Sequence, residues 1–159
     1  MSTFDSADHR PPSPDHAGRP LVAALGDTNL HDNGVGPAVL QHLAGRGLDV
    51  TLVSCDAETT ASADFWRDRD LAILVEPICV QPCHPGRVHR MVMPRPGAGS
   101  LLVFAVETGD VGNGQGMSPA VAAAARRVAD AIAAELTPTD PPVRGRPLPS
   151  HRQVQVAMP

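Results

Sequence analysis

The sequence predicts an α/β domain of three layers, in which helices flank a mostly parallel sheet of about five strands. The first observation is three short runs that are almost wholly apolar, at 20–25, 71–76 and 100–107. Strands that are apolar without alternation are buried on both faces, which is typical of parallel sheets between helices. The second observation is that segments with the apolar period of a helix alternate with these runs, most clearly at 117–136.

The first apolar run, PLVAAL at 20–25, predicts a buried strand that ends at Gly26. A helix is expected to follow, because Asp32 or Asn33 can cap it and Pro37 suits its first turn. Its apolar stripe consists of Val39, Leu40 and Leu43.

The other predicted elements are, in chain order, an alternating strand, a short helix, a strand nearer the edge of the sheet and a long helix: 48–54, 57–69, 86–93 and 117–136. The last helix begins with Ser118 at its N-cap and Pro119 in its first turn. Its apolar face carries Val121, Ala125, Val128 and Ile132.

Both ends of the chain are rich in proline and poor in apolar side chains. Residues 1–19 and 137–159 cannot bury enough apolar surface to offset the ordering of their backbone. We therefore expect a disordered N-terminal tail and a flexible, Pro-rich C-terminal tail. The α/β domain is predicted to span 20–136.

Composition argues against several kinds of partner. The net charge is −4, and the chain has three Phe, one Trp and no Tyr, so it lacks the basic stripe and stacking aromatics of a nucleic-acid surface. No apolar run approaches the roughly 20 residues that span a bilayer, and no secretory signal is evident. Three cysteines do not make a disulfide framework, which favours a cytoplasmic location.

Polar, chemically competent side chains follow the three apolar strands. Because functional sites in open α/β sheets lie outside the carboxyl ends of the strands, these side chains predict a site by position alone. The three loops contribute Asp27, Asn29, His31, Asp32 and Asn33; Glu76, Cys79, Cys83 and His84; and Glu107, Asp110 and Asn113. His31, His42 and His89 are expected to lie at the surface.

Several of these motifs occur in an order that resembles the hydrogenase maturation protease family. The first strand leads to Gly26-Asp27, Leu30, Asp32-Asn33 and GVGP; ILVEP is followed by PGRV; and the closing strand, acidic turn and helix read VFAVETGDVGNGQGMSPAVAAAA. The resemblance covers most of residues 20–136. It implies the α/β fold of that family and an endopeptidase that removes the C-terminal extension of a nickel–iron hydrogenase large subunit.

The resemblance also implies a partner and a set of site residues. The partner would be the large-subunit precursor, whose own nickel is contacted; no tightly bound cofactor is expected. Of the family's metal-contacting trio, the second acidic residue falls on Asn33 and the later Asp on Glu76. The helix that carries the family's His has no counterpart, because only PRPGAG separates Met93 from Ser100.

These correspondences make Glu76 and Asp32 the candidate catalytic residues, and Glu76 and Asn33 the candidates that face a metal. Asp32, His84 and Cys83 are weaker metal candidates. An amide offers a metal only a neutral carbonyl oxygen where a carboxylate would bring charge, so the resemblance implies a weakened site.

Three alternatives remain open at this point. Asp32 and Asn33 could serve only as helix caps. The chain could be a non-catalytic binding or assembly module of the same fold, whose missing helix leaves part of one sheet face uncovered for a client or a homodimer mate. Finally, Cys79, Cys83 and His84 could make a small soft-metal site.

Overall fold

The computed structural model describes residues 18–138 of the 159-residue chain. The predicted tails, 1–19 and 137–159, therefore lie almost wholly outside the described residues. Within residues 18–138, no helix combines the length and the apolar character that crossing a membrane requires.

One sheet of five strands forms the centre of the domain, in the order β2-β1-β3-β5-β4. Four strands run parallel, and only β4 is antiparallel, paired with β5 at the edge. The strands are β1 Leu21–Ala24, β2 Thr51–Ser54, β3 Ala72–Ile78, β4 Val88–Pro94 and β5 Ser100–Glu107. The predicted mostly parallel sheet and the edge position of the fourth strand are confirmed.

In the described part of the chain, three α-helices accompany the sheet: α1 Val35–Ala44, α2 Ala57–Ala61 and α3 Pro119–Leu136. Short 3-10 turns precede α1 and follow α2, at His31–Gly34 and Asp64–Trp66. The single short helix predicted at 57–69 is thus divided. Asp56 caps α2 by accepting a hydrogen bond from the Thr59 N–H, and the backbone becomes extended at Ser62.

The two faces of the sheet are covered differently. Helices α1 and α3 pack on the first face, over strand side chains that include Val22, Ile73 and Phe104. On the second face, the side chain of Trp66 is fully buried against Leu21, Ala23, Ala72, Leu74, Leu101 and Val103. Helical elements therefore lie on both sides of the sheet, as predicted.

Exposed apolar side chains gather on the edge strand. Met91, Val92 and Met93 of β4 are 38%, 64% and 45% exposed. Because successive side chains of a strand point to opposite faces, this exposure reflects the edge position of β4. The uncovered sheet face expected from the short PRPGAG connection stays a prediction.

The start of α1 packs directly against the end of β1. A Cβ on Gly36 would lie 2.1 Å from the carbonyl oxygen of Leu25, so no larger residue fits without a shift. Gly26 has φ +135°, and a Cβ there would meet the carbonyl oxygen of Asn33 at 2.1 Å. These two glycines bring the first loop over the end of the sheet.

The predicted helix caps are corrected by the structure. Neither Asp32 nor Asn33 caps α1, whose N-cap is Gly34 without a side-chain hydrogen bond. Ser118 does occupy the N-cap of α3, ahead of Pro119, but its hydroxyl does not cap the helix. The reason is that the side chains of Asp32 and Ser118 bond to each other across the loops.

Candidate functional site at the carboxyl edge of the sheet

The loops after β1 and β5 are joined by backbone hydrogen bonds. His31 N–H donates to the Gly114 carbonyl at 2.9 Å, and Gly114 N–H donates to the Asn29 carbonyl at 2.8 Å. Asp32 N–H donates to the Asp110 carbonyl at 2.8 Å. The predicted convergence of these two loops is thereby confirmed; we call the surface that they form with the loop after β3 the carboxyl edge.

Asp32 is fully buried beneath this edge, where four donors surround its carboxylate. One oxygen accepts from Gly109 N–H at 3.0 Å, Asp110 N–H at 3.1 Å and the Ser118 hydroxyl at 3.1 Å. The other accepts from Ser118 N–H at 2.7 Å. The carboxylate therefore ties the third loop and the amino end of α3 to the first loop.

The protonation of Asp32 follows from this environment. Burial alone would raise its pKa, but the backbone hydrogen bonds from Ser118, Asp110 and Gly109 and the Ser118 hydroxyl outweigh burial and lower it. Asp32 therefore stays ionised, although it is 0% exposed. Its geometry is that of a structural anchor; its predicted part in catalysis stays a prediction.

Asn33 lies beside Asp32 and serves the first loop. Its side-chain oxygen accepts from the Asp27 N–H at 2.7 Å, and Asp27 in turn accepts from the Asn29 N–H at 2.8 Å. The amide oxygen expected to face a metal thus closes a turn instead. In residues 18–138, no three or more His, Cys, Asp and Glu side chains are grouped to hold a metal ion.

Glu76 stands at the carboxyl end of β3. It is half-buried, and burial raises the pKa of its carboxyl group. No side chain or backbone group among the described residues forms a hydrogen bond or ion pair with that carboxyl group. A half-buried carboxyl group with a raised pKa at the carboxyl end of a central strand is a candidate functional residue.

Glu107, at the end of β5, is 2% exposed, and its carboxylate is contacted by basic side chains of the carboxyl edge. Its Oε1 lies 2.8 Å from His89 Nε2 and 3.8 Å from Arg87 Nε. Its Oε2 accepts from His84 N–H at 2.6 Å. Hydrogen bonding to His89, followed by the His84 N–H, lowers the pKa of Glu107 against the opposing effect of burial.

Sequence reasoning placed Glu107 in the third loop but did not single it out, and it left His89 at the surface. The His89 side chain is indeed 40% exposed. The contact with Glu107 was missed because it depends on the antiparallel register of β4 and β5, in which His89 pairs with Ala105. The alternating pattern of 86–93 was the only available signal.

The cysteines of the second loop bond to Thr108 rather than to a shared centre. Cys83 Sγ donates to the Thr108 carbonyl at 3.1 Å, and Cys79 Sγ lies 3.4 Å from the Thr108 hydroxyl. The His84 ring is placed toward Glu107, with Nδ1 3.9 Å from Oε2. Since no metal-holding group is found among the described residues, a metal site at Cys79, Cys83 and His84 has no geometric support.

No protein-family model and no curated protein sequence matches this chain. Solved structures do match. The nickel–iron hydrogenase maturation protease HybD from Thermococcus kodakarensis superposes with a TM-score of 0.64 at 14% identity, over 75% of this chain and 99% of that one. The hydrogenase 2 maturation peptidase from Thaumarchaeota archaeon SCGC_AB-539-E09 gives 0.63 at 18% identity, over 75% and 99%.

The hydrogenase maturating endopeptidase HybD from E. coli is also similar, with a TM-score of 0.59 at 20% identity, over 74% of this chain and 91% of that one. Nearly the whole length of each of these proteins is matched by this chain. At such low identity the likeness establishes the fold. The resemblance predicted from the ordered motifs is thereby confirmed at the level of architecture: this chain has the fold of the hydrogenase maturation proteases.

Proposed function

We propose that this protein is an endopeptidase of hydrogenase maturation, which removes the C-terminal extension of a nickel–iron hydrogenase large-subunit precursor. The observation that carries the proposal is Glu76. It lies at the carboxyl end of β3, where the resemblance expects an acidic site residue, and it is half-buried without a described partner. The shared fold supports the same function.

In this proposal Glu76 faces the nickel-carrying end of the client, and the carboxyl edge holds a peptide bond for attack by water. Asn33 closes the first loop, and the buried Asp32 fixes the third loop through its four hydrogen bonds. The nickel belongs to the client. A cytoplasmic location and a homodimer or client bound through an uncovered sheet face stay predictions.

A second function, a non-catalytic assembly module of the same fold, is favoured by one observation. The side-chain oxygen of Asn33 already accepts a hydrogen bond from the Asp27 N–H. At the carboxyl edge, Glu76 is therefore accompanied by few other groups that could bind a metal. Such a site could recognise a nickel-loaded client without cleaving it.

Incubation with nickel-loaded precursor, followed by intact-mass measurement, tests the proposal. We expect the mass of the C-terminal peptide to be lost in the presence of the wild-type protein. Glu76→Gln should slow cleavage by at least about 100-fold, since it removes a reacting-site carboxylate while keeping its shape. Glu58→Gln, on an exposed residue in the first turn of α2, is the matched control and should cleave at the wild-type rate.

The two functions give different results in this assay. No cleavage at a stoichiometric amount of protein, together with stable binding of the precursor, would favour the assembly module. Cleavage by Glu76→Gln at the wild-type rate would remove Glu76 from the mechanism.

A further inference from the structure

We propose that His89, held by Glu107, is a catalytic residue of this site and acts as the base that deprotonates the attacking water. The inference rests on the proposed peptidase function. It adds a residue from the antiparallel edge strand, which the sequence reasoning left at the surface.

The register of three neighbouring strands places Glu76 and His89 on either side of one residue. Glu76 of β3 pairs with Ala105 of β5, and His89 of β4 pairs with the same Ala105. Residues paired across a sheet share a face, so Glu76 and His89 flank Ala105 on one surface. Two strand spacings of about 4.8 Å separate their backbones by about 10 Å.

The residue between them is small and covered. Ala105 contributes only a methyl group and is 2% exposed. The longer side chains of Glu76 and His89, on either side of it, are both partly exposed.

The carboxylate of Glu107 orients the imidazole of His89. His89 Nε2 lies 2.8 Å from Oε1 of Glu107, a buried carboxylate whose other oxygen is held by the His84 N–H at 2.6 Å. An ionised carboxylate only accepts, so Nε2 carries the hydrogen and donates it. In the neutral form of the ring Nδ1 is then the unprotonated nitrogen, and no described residue bonds to it. This pairing of carboxylate and imidazole produces a fixed tautomer with one basic nitrogen available.

The proposed reaction is hydrolysis of a peptide bond by water. As the water oxygen bonds to the peptide carbonyl carbon, His89 Nδ1 takes a proton from that water. The C–N bond then breaks, and the leaving nitrogen takes the proton from His89. The products are a carboxylic acid and an amine, and His89 returns to its starting form, so no oxidant or additional reagent is needed.

Kinetics of precursor cleavage test the inference, with His89→Gln as the decisive variant because residue 89 is half-exposed and its loss leaves the core intact. We expect kcat to fall by about 100-fold or more, with KM for the precursor unchanged. His42→Gln, on α1, is the control and should keep the wild-type kcat. Glu107→Gln should also lower kcat, because a neutral amide no longer fixes the tautomer.

A spectroscopic readout needs no variant and no client. Long-range ¹H–¹⁵N spectra of the wild-type protein should show the His89 ring with hydrogen on Nε2 and a bare Nδ1. A ring with hydrogen on Nδ1 would overturn the assignment.

The outcomes separate this inference from the proposed function. If Glu76→Gln abolishes cleavage while His89→Gln keeps kcat within threefold of wild type, the peptidase stands and the role of His89 fails. If the wild-type protein does not cleave the precursor, both fail together.

Discussion

Replacing Asp32 with Asn removes one negative charge from the centre of the carboxyl edge and keeps the shape of the side chain. The variant addresses the claim that this carboxylate holds the third loop and α3 in place. If that claim is correct, the cost should appear in the free energy of unfolding, whatever the protein's activity.

The magnitude follows from the four hydrogen bonds. An Asn oxygen could still accept from Gly109, Asp110 and the Ser118 hydroxyl, which all bond to one oxygen of Asp32. Each bond would change from a charged to a neutral acceptor and weaken by about 1 kcal/mol. The Asn NH₂ would then face Ser118 N–H, donor against donor, where an accepting oxygen stood at 2.7 Å.

An unsatisfied buried donor costs a further 1–3 kcal/mol or so, and neighbouring losses are not fully additive. We therefore expect Asp32→Asn to lower the free energy of unfolding by about 3–5 kcal/mol, a large share of the stability of a typical domain. Urea unfolding followed by circular dichroism at pH 7 measures this difference. Asp27→Asn is the control: residue 27 is exposed and accepts one hydrogen bond, so its loss should be below about 1 kcal/mol.

The pH dependence gives a second check on the same variant. Because the pKa of Asp32 is lowered below the ordinary 3.8, ionised Asp32 stabilises the fold above that value. The stabilisation is lost as the pH falls through the folded-state pKa. The difference between wild type and Asp32→Asn should therefore be constant near neutrality and shrink in strong acid. A difference below 1 kcal/mol at pH 7, or one that grows in acid, would refute the reasoning.

Two further predictions concern packing and thiol chemistry. Gly36→Ala should lower the melting temperature by several degrees, because its Cβ would lie 2.1 Å from the Leu25 carbonyl oxygen. Gly45→Ala is the control and should leave the melting temperature nearly unchanged, since no atom lies within 4 Å of its new Cβ. Equal effects of the two variants in calorimetry would contradict the close approach at Gly36. Burial, with a smaller contribution from Asp56, raises the pKa of the Cys55 thiol to about 11. Because the thiolate is the form that reacts, iodoacetamide at pH 8 should modify the exposed Cys79 at least tenfold faster than Cys55. Peptide mass mapping over time measures both rates, and faster labelling of Cys55 would show that its thiol is not shielded.

The sequence by itself determined the layers of this domain. Every predicted strand is present, and the apolar runs at 20–25, 71–76 and 100–107 are the three central parallel strands. This succeeded because apolar periodicity is a local property of the chain, which reports burial without knowledge of the neighbours. The position of Glu76 at a strand end followed from the same reasoning.

The partners of the site residues were decided only by the tertiary structure. Asp32 was one of two residues expected to be able to cap the following helix, but its four donors lie 77 to 86 residues further along the chain. His89 meets Glu107 only because β4 pairs antiparallel with β5 in one particular register. A one-residue slip would turn His89 to the opposite face, and the pattern of a mostly exposed strand such as β4 specifies that alignment only weakly. The apolar pattern of each segment predicts which of its residues are buried, whereas the contacts of a charged side chain depend on which distant segment lies beside it.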